Sequence, residues 1–101
     1  FPRNTNLACY KKYSNIDKLD CITLDYNFPL DKINELNERI VFQGNLDPKH
    51  LLKDSQNLSQ KIEEILFAFR ERPHIFNLGH GVLPETSIEK VEQMLLQIRS
   101  T

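Results

Sequence analysis

Residues 40–48 read Ile40-Val41-Phe42-Gln43-Gly44-Asn45-Leu46-Asp47-Pro48. The apolar run at positions 40–42, two of its members β-branched, predicts a short buried strand. Gly44 and Asn45 predict a turn at its end, and Pro48 suits the first turn of a following helix. The segment therefore predicts a strand that stops at a polar turn and leads into a helix.

Two further segments have the same character. Residues 21–24, Cys-Ile-Thr-Leu between Asp20 and Asp25, predict one buried strand. Residues 74–76, His-Ile-Phe, predict another that runs into the glycine-rich turn at 79–81. The chain therefore contains three short strands, and at least two of them end at glycine and polar residues.

Helices are predicted between and around these strands, over residues 5–13, 30–37, 58–72 and 87–98. The third has its apolar residues on one helical face, at Leu58, Ile62, Ile65, Leu66 and Phe69. The fourth has a similar stripe at Ile88, Val91, Met94, Leu95 and Ile98.

The ends of these helices carry recognisable signals. Pro29 suits the first turn of the second helix, and Asp54 or Ser55 is predicted to cap the third, with Pro73 beyond its end. Thr86-x-x-Glu89 predicts a capping box for the fourth. Strands that alternate with helices predict an α/β fold with parallel strands and right-handed crossovers.

In such folds, functional residues gather where strands end and loops begin. The segments at these ends supply the candidate site residues Arg3, Asp25, Asn45, Asp47, Gly79, His80 and Gly81. Because the carboxyl ends of parallel strands share one edge of the sheet, we expect these residues to line one pocket mouth.

Composition gives no support for several other classes of protein. The 101 residues include 13 basic and 14 acidic side chains, which gives no argument for nucleic acid or an anionic membrane surface. The two cysteines, Cys9 and Cys21, form no C-x-x-C pair, so a reducing, cytoplasmic compartment is expected. No transmembrane or signal segment is evident. The opening Phe1-Pro2 suggests the tail of a longer polypeptide or a trimmed one, and residues 1–101 are expected to form one domain.

Two segments carry a specific resemblance. Residues 42–48, FQGNLDP, resemble the Q-G-N-L-D-P segment of uroporphyrinogen decarboxylases, and residues 75–81, IFNLGHG, resemble their N-L-G-H-G segment. Leu24-Asp25-Tyr26 resembles an L-D-W strand end, with Tyr in place of Trp. The resemblance implies the C-terminal half of a (β/α)8 TIM barrel, about three and a half βα units.

The resemblance also implies an activity. Uroporphyrinogen decarboxylases convert uroporphyrinogen III to coproporphyrinogen III in porphyrin and heme biosynthesis by decarboxylating four acetate side chains, without a metal or organic cofactor. The family's Arg-rich R-Q-A-G-R segment and its central Asp do not occur in residues 1–101. The 101 residues alone are therefore expected to be an inactive fragment of this carboxy-lyase. The full-length enzyme is expected to be a homodimer, and the fragment to self-associate or pair with the missing half.

His80 is the residue expected to bind the substrate. It lies between Gly79 and Gly81, so that backbone and imidazole can approach a bulky planar ligand closely. An imidazole can donate a hydrogen bond to a substrate carboxylate or carry charge beside it.

The other candidates have two interpretations each. Asn45 and Asp47 either shape the pocket mouth or satisfy loop amides before the next helix. Asp25 either supports the barrel end or contacts the substrate, and Arg3 either pairs with a substrate carboxylate or is a solvated surface residue. Two alternative functions remain open: a non-catalytic half-barrel or split-gene piece, and a zinc- and cobalamin-dependent methyltransferase of the same superfamily. The second is disfavoured because its zinc-binding Cys near the last strand has no counterpart after Cys21, and no His or Cys pair has metal-ligand spacing.

Overall fold

The computed structural model describes residues 7–16 and 19–100, in which helices and short strands alternate. The α-helices are α1, α2 and α3, at Leu7–Ser14, Leu58–Ala68 and Ile88–Arg99. The strands are β1, β2 and β3, at Cys21–Thr23, Val41–Gln43 and His74–Ile75. Two 3-10 helices lie at Leu30–Glu35 and Pro48–Leu51.

The three strands form one parallel sheet in the order β1-β2-β3. Ile22 pairs with Phe42, and Phe42 with His74, so the strands are in register at mid-sheet. A parallel bridge between Leu46 and Leu78 continues the pairing of the last two strands beyond their ends. The predicted α/β class and parallel pairing are therefore confirmed.

The core lies between the sheet and α2. Leu24, Ile40 and Phe42 of the sheet region are fully buried. Leu58, Ile62 and Ile65 of α2 are buried as the predicted stripe requires, and Phe69 just beyond the helix is 3% exposed. The predicted C-terminal end of this helix was wrong, because α2 ends at Ala68 and residues 69–71 form a turn.

Helix α3 is attached more loosely. Val91, Met94 and Ile98 pack against the core but are only partly buried. Two members of the predicted stripe are exposed, since Ile88 has 77% of its surface accessible and Leu95 41%. An apolar face of this helix is therefore left uncovered in the described residues.

The helix predicted over residues 30–37 is instead a 3-10 helix. Leu30, Ile33 and Leu36 are spaced by three residues, and side chains at that spacing align in a helix of three residues per turn. Ile33 and Leu36 are buried, and the Leu36 N–H donates to the Ile33 carbonyl, three residues back. Pro29 is the extended residue before the first turn, not part of it.

The predicted caps were wrong at both later helices. Asn57, not Asp54 or Ser55, precedes α2, and its side chain makes no capping hydrogen bond. Ser87, not Thr86, caps α3 by accepting from the Lys90 N–H. Thr86 cannot occupy that position, because it is bridged to Leu52 and its hydroxyl donates to the Leu83 carbonyl.

The predicted first helix, over 5–13, is observed as α1 from Leu7 to Ser14. Its first two predicted residues, 5 and 6, lie outside the described part of the chain, as does Arg3. Tyr10 of α1 is buried, and its ring meets Phe28 edge-on at 4.9 Å between centroids, which joins the helix to the core.

Candidate functional site

The predicted site residues that the structure describes follow the carboxyl ends of the three strands. Asp25 follows β1, Asn45 and Asp47 follow β2, and the glycine-rich segment 79–81 follows β3. Parallel pairing brings these ends to one edge of the sheet, as expected from the sequence.

Asn45 joins two of the strand ends. Its side chain is 3% exposed, and its amide nitrogen donates to the carbonyls of Asp25, at 3.0 Å, and Phe28, at 3.4 Å. Its amide oxygen is buried and accepts no hydrogen bond from the residues that the structure describes. Asn45 therefore fixes the loop after β1 by donating hydrogen bonds to two of its carbonyls. The interpretation from the sequence was the reverse, with the Asn45 side chain accepting hydrogen bonds from loop N–H groups.

Asp25 is held from the other side. It is 1% exposed, and its backbone N–H donates to the Tyr10 hydroxyl at 3.0 Å. The end of β1 is thus fixed by α1 and by Asn45 together. The burial and contacts of Asp25 fit the interpretation that this residue supports the end of the sheet.

Asp47 organises the turn after β2. Its carboxylate accepts from the Lys49 N–H at 3.0 Å, and Pro48 occupies the first position of the 3-10 helix that follows. A carboxylate on the first free N–H groups of a helical turn satisfies donors that would otherwise lack a partner. Asp47 therefore accepts from a backbone amide of the loop and Pro48 begins the next helix, as one of the two interpretations predicted, although this helix is a single short turn that precedes α2.

Gly79 holds the loop after β3 against both other strand ends. The Tyr26 N–H donates to its carbonyl at 3.1 Å, and its own N–H donates to the Leu46 carbonyl at 2.8 Å. A Cβ at this position would lie 2.2 Å from the Tyr26 nitrogen, so only glycine fits. Gly81 is different, because nothing lies within 4 Å of where its Cβ would be.

His80 is exposed beside a pocket that all three strand ends line. Its ring contacts the Tyr26 ring edge-on, with 6.4 Å between centroids. The pocket has a volume of about 280 Å³, and its lining consists of Tyr26, Asp47, Pro48, Lys49, His80, Gly81 and Leu83. Two side chains that can carry positive charge, those of His80 and Lys49, therefore share one cavity.

A second cavity of about 460 Å³ adjoins the first at Tyr26 and Asp47. It extends from buried Asn45 to α2, where Lys61 and Glu64 form an ion pair at 3.2 Å. His50 also lines it. The structure thus separates His50 from the His80 pocket, although both residues lie near the same strand ends.

His74 stands at the base of this region. Its ring stacks on Phe69 at 3.9 Å between centroids, and its Nε2 donates to the Gly44 carbonyl. Burial lowers the pKa of His74 below its ordinary value, and the Gly44 carbonyl opposes that shift. The sequence predicted His74 at the start of the third strand but did not reveal this contact with the end of β2.

Lys49 and Tyr26 were also missed as pocket residues. Tyr26 carried a signal, since it ends the Leu24-Asp25-Tyr26 segment. No feature of the sequence marked Lys49 as a pocket residue, apart from its place two residues after Asp47.

The described residues show no metal site. In residues 7–16 and 19–100, no three His, Cys, Asp or Glu side chains are grouped to hold a metal, and Cys9 and Cys21 form no disulfide. None of the described helices is long and apolar enough to cross a membrane.

Comparison with known proteins decides the family. The family model for uroporphyrinogen decarboxylase (URO-D) matches residues 1–101. The chain belongs to the uroporphyrinogen decarboxylase family. Relatives named uroporphyrinogen decarboxylase include those of Rickettsia canadensis (strain McKiel), 40% identical over 100 residues, and Chelativorans sp. (strain BNC1), 42% identical over 99 residues.

These alignments cover almost all of the chain but a minor part of each relative. The R. canadensis alignment takes in 99% of the chain and 29% of that relative, and the Chelativorans alignment 98% and 29%. The protein of Rickettsia massiliae (strain Mtu5), 38% identical, aligns over 98% of the chain and 28% of its own length. The chain therefore spans less than a third of the relatives it matches, which agrees with the partial match expected from the sequence.

Proposed function

We propose that this chain is the C-terminal portion of a uroporphyrinogen decarboxylase and supplies one side of its substrate pocket. The complete enzyme would convert uroporphyrinogen III to coproporphyrinogen III by decarboxylating four acetate side chains. The observation that carries the proposal is the convergence of three strand ends on the His80 pocket, in a chain of this family.

The chemistry defines what such a pocket supplies. Loss of carbon dioxide from an acetate side chain leaves an electron pair, which a protonated pyrrole ring can accept. A fixed carboxylate stabilises that cation, and cationic groups hold the remaining substrate carboxylates. The family's Asp and Arg segments for these tasks lie outside residues 1–101. His80 is therefore proposed as a substrate-binding residue, and the described residues shape the wall around it.

The fold part of the proposal is a half-barrel that comprises residues 1–101. Consecutive parallel strands in spatial order, separated by helical segments, are what a (β/α)8 barrel shows along part of its circumference. Ile75 of β3 is 50% exposed, and Leu96 of α3 is 66% exposed. In the proposed barrel, the remaining βα units cover these side chains.

The isolated chain is expected to associate with itself, because an uncovered strand and helix face favour pairing. Light scattering on the 101-residue chain should give a mass above that of the monomer. Replacement Leu96→Glu, which places a charge on the exposed face of α3, should lower that mass. A monomer that persists at every concentration would contradict the half-barrel proposal.

The complete enzyme is proposed to be a cytoplasmic homodimer.

The function is tested on the full-length polypeptide that carries these residues. It should release coproporphyrinogen from uroporphyrinogen, and the 101 residues alone should release none. His80→Asn keeps the size and some hydrogen bonding but removes the possible charge. We expect kcat/KM to fall by an amount equivalent to roughly 1–3 kcal/mol, the range for one charge-assisted hydrogen bond.

His50→Asn is the matched control, because His50 lines the neighbouring cavity and not the His80 pocket. Its kcat/KM should stay near that of the unaltered enzyme. A folded full-length protein without decarboxylase activity would contradict the proposed function. Equal kinetics for the unaltered enzyme and His80→Asn would leave the function standing but reduce His80 to a loop residue.

A further inference from the structure

Most basic side chains in the described residues already have an acceptor. Lys11, Lys32 and Lys61 form ion pairs with glutamates, and the Lys90 ammonium donates to the Ser55 carbonyl. The guanidinium groups of Arg39, Arg70 and Arg72 donate to backbone carbonyls. These basic groups make contacts within the chain, so their charges are already paired with acceptors.

Lys49 differs from these side chains. Across residues 7–16 and 19–100, its ammonium has neither an ion pair nor a hydrogen-bond acceptor. The side chain is exposed, yet it lines the same pocket of about 280 Å³ as His80. The ammonium is therefore available to a ligand in that pocket.

The backbone beneath Lys49 is well fixed. Its N–H donates to the Asp47 carboxylate at 3.0 Å, and its carbonyl accepts from the Leu52 N–H at 3.2 Å. Buried Pro48 precedes it and restricts the chain further. The stem of the side chain therefore starts from a defined position, and binding a ligand orders only the four-carbon side chain.

Among the described residues that line this pocket, only Asp47 has a carboxylate, and that group accepts a hydrogen bond from the Lys49 backbone N–H. That N–H contact offsets part of the negative charge that an anionic ligand would meet. The pocket then offers a carboxylate ligand two basic groups, His80 after β3 and Lys49 after β2.

We propose that Lys49 is a second carboxylate-binding residue of this pocket and holds a different carboxylate of the substrate from the one beside His80. The inference rests on the proposed function, because it takes the ligand to be a molecule with several carboxylates. An ammonium on a flexible stem suits this role, since it can follow carboxylates that differ in position between successive substrates. Lys49 is thus a binding residue and takes no part in proton transfer.

The test compares Lys49→Met, Lys49→Arg and Lys53→Met in the full-length polypeptide. Methionine retains the length of the side chain without its charge, and arginine retains the charge. Lys53 is exposed nearby but does not line the pocket, so it serves as the matched control. The measurements are KM and kcat for uroporphyrinogen at low and at high ionic strength.

Lys49→Met should raise KM about threefold to fivefold at low salt, in the upper part of the range for one exposed charge pair, and leave kcat nearly unchanged. Added salt should narrow this difference because it screens the lost interaction. Lys49→Arg should restore most of the affinity, and Lys53→Met should match the unaltered enzyme. A KM for Lys49→Met equal to that of Lys53→Met at both salt concentrations would overturn the proposal.

Failure of the proposed function gives a different result. If the unaltered polypeptide does not decarboxylate uroporphyrinogen, the same three variants are compared by quenching of the fluorescence of uroporphyrin, an oxidised and equally carboxylated probe. Weaker, salt-sensitive binding by Lys49→Met alone would support the carboxylate site without the reaction. Equal binding of uroporphyrin by all the proteins would contradict the proposed role of Lys49 in binding a carboxylate as well.

Discussion

The two ends of the sheet are closed by different means. At the amino end, arginines donate to backbone carbonyls: Arg39 to those of Ile16 and Leu19, and Arg72 to those of Ile33 and Asn37. The carboxyl end is closed by backbone hydrogen bonds at Gly79 and by the amide of Asn45.

This difference explains why a basic side chain is available beside the pocket at the carboxyl end. Neutral, backbone-level contacts hold the strand ends together there without consuming Lys49, so this charge remains available beside the cavity. At the amino end, the guanidinium groups already have acceptors, and the same charges stabilise the fold instead. Each of the following changes removes a contact from one end or from the segment between them.

Gly79→Ala should have the largest effect, because it disrupts the carboxyl end. The added methyl group would lie 2.2 Å from the Tyr26 nitrogen and 2.4 Å from the Tyr26 Cα. Backbone atoms cannot rotate away as a side chain does, so the loops must separate. We expect the free energy of unfolding of the full-length polypeptide to fall by about 3 kcal/mol or more, at the upper end of overpacking costs.

Gly81→Ala is the matched control for this prediction. Since nothing lies within 4 Å of its added methyl group, the change in stability should stay within about 0.5 kcal/mol. Urea denaturation of both variants gives the comparison. Equal destabilisation would mean that glycine is needed at this turn for backbone flexibility, not for the contact with Tyr26.

Arg72→Met should have the next largest effect, at the amino end. Arg72 donates to the Ile33 and Asn37 carbonyls at 2.9 and 2.7 Å, and its guanidinium lies 4.9 Å from the centre of the Phe42 ring. Methionine retains much of the packing but leaves carbonyls without their donor. The expected loss of stability is about 2 kcal/mol, within the usual range for unsatisfied buried groups.

Arg70→Met provides the control at the amino end. Arg70 is exposed, donates to the Phe67 carbonyl three residues away and lies over the Phe67 ring. Because these contacts are local and solvated, the loss measured by urea denaturation should be under about 1 kcal/mol. If the two arginine variants lose equal stability, the amino end does not depend on the long-range contacts of Arg72.

The sequence predicted the broad arrangement of the carboxyl end, because parallel strands place their ends together whatever their side chains. It therefore placed Asp25, Asn45 and His80 at one edge of the sheet, but not in one pocket: Asn45 lines the second cavity, and Asp25 is buried and lines neither cavity. It could not show that Gly79 is needed for contact with Tyr26, since the two residues lie 53 positions apart and meet only in the folded sheet. The roles of His80 and of the other candidate residues in substrate binding remain predictions.

Local detail was less predictable where neighbouring residues compete for one role. Thr86 and Ser87 can each cap a helix, and the bridge from Thr86 to Leu52 decides in favour of Ser87. Similarly, Leu30, Ile33 and Leu36 fit either helix type over so short a length. Arg72 gave no local signal, because its acceptors lie more than 30 residues earlier in the chain.

The smallest expected effect concerns His74, which joins β3 to the end of β2 through the Gly44 carbonyl. Burial between Phe69 and Phe76 disfavours the charged ring and lowers the pKa of His74 from its ordinary value of 6.5. The unfolded chain therefore takes up the proton first as the pH falls. By linkage, this residue's contribution to stability is present above about pH 6.5 and is lost as the pH falls towards the folded-state pKa.

The variant His74→Gln tests the direction of this pH dependence, because glutamine retains an amide donor for the Gly44 carbonyl but does not titrate. The free energy of unfolding should fall less steeply in the variant than in the unaltered full-length polypeptide between pH 7.5 and pH 5.5, a window of about one unit on either side of the ordinary histidine value. Subtracting the two curves removes the groups common to both proteins. Parallel curves would show that His74 takes up its proton equally in the folded and unfolded states. A steeper fall in the variant would reverse the sign, and it would mean that the Gly44 carbonyl outweighs burial and favours the charged ring.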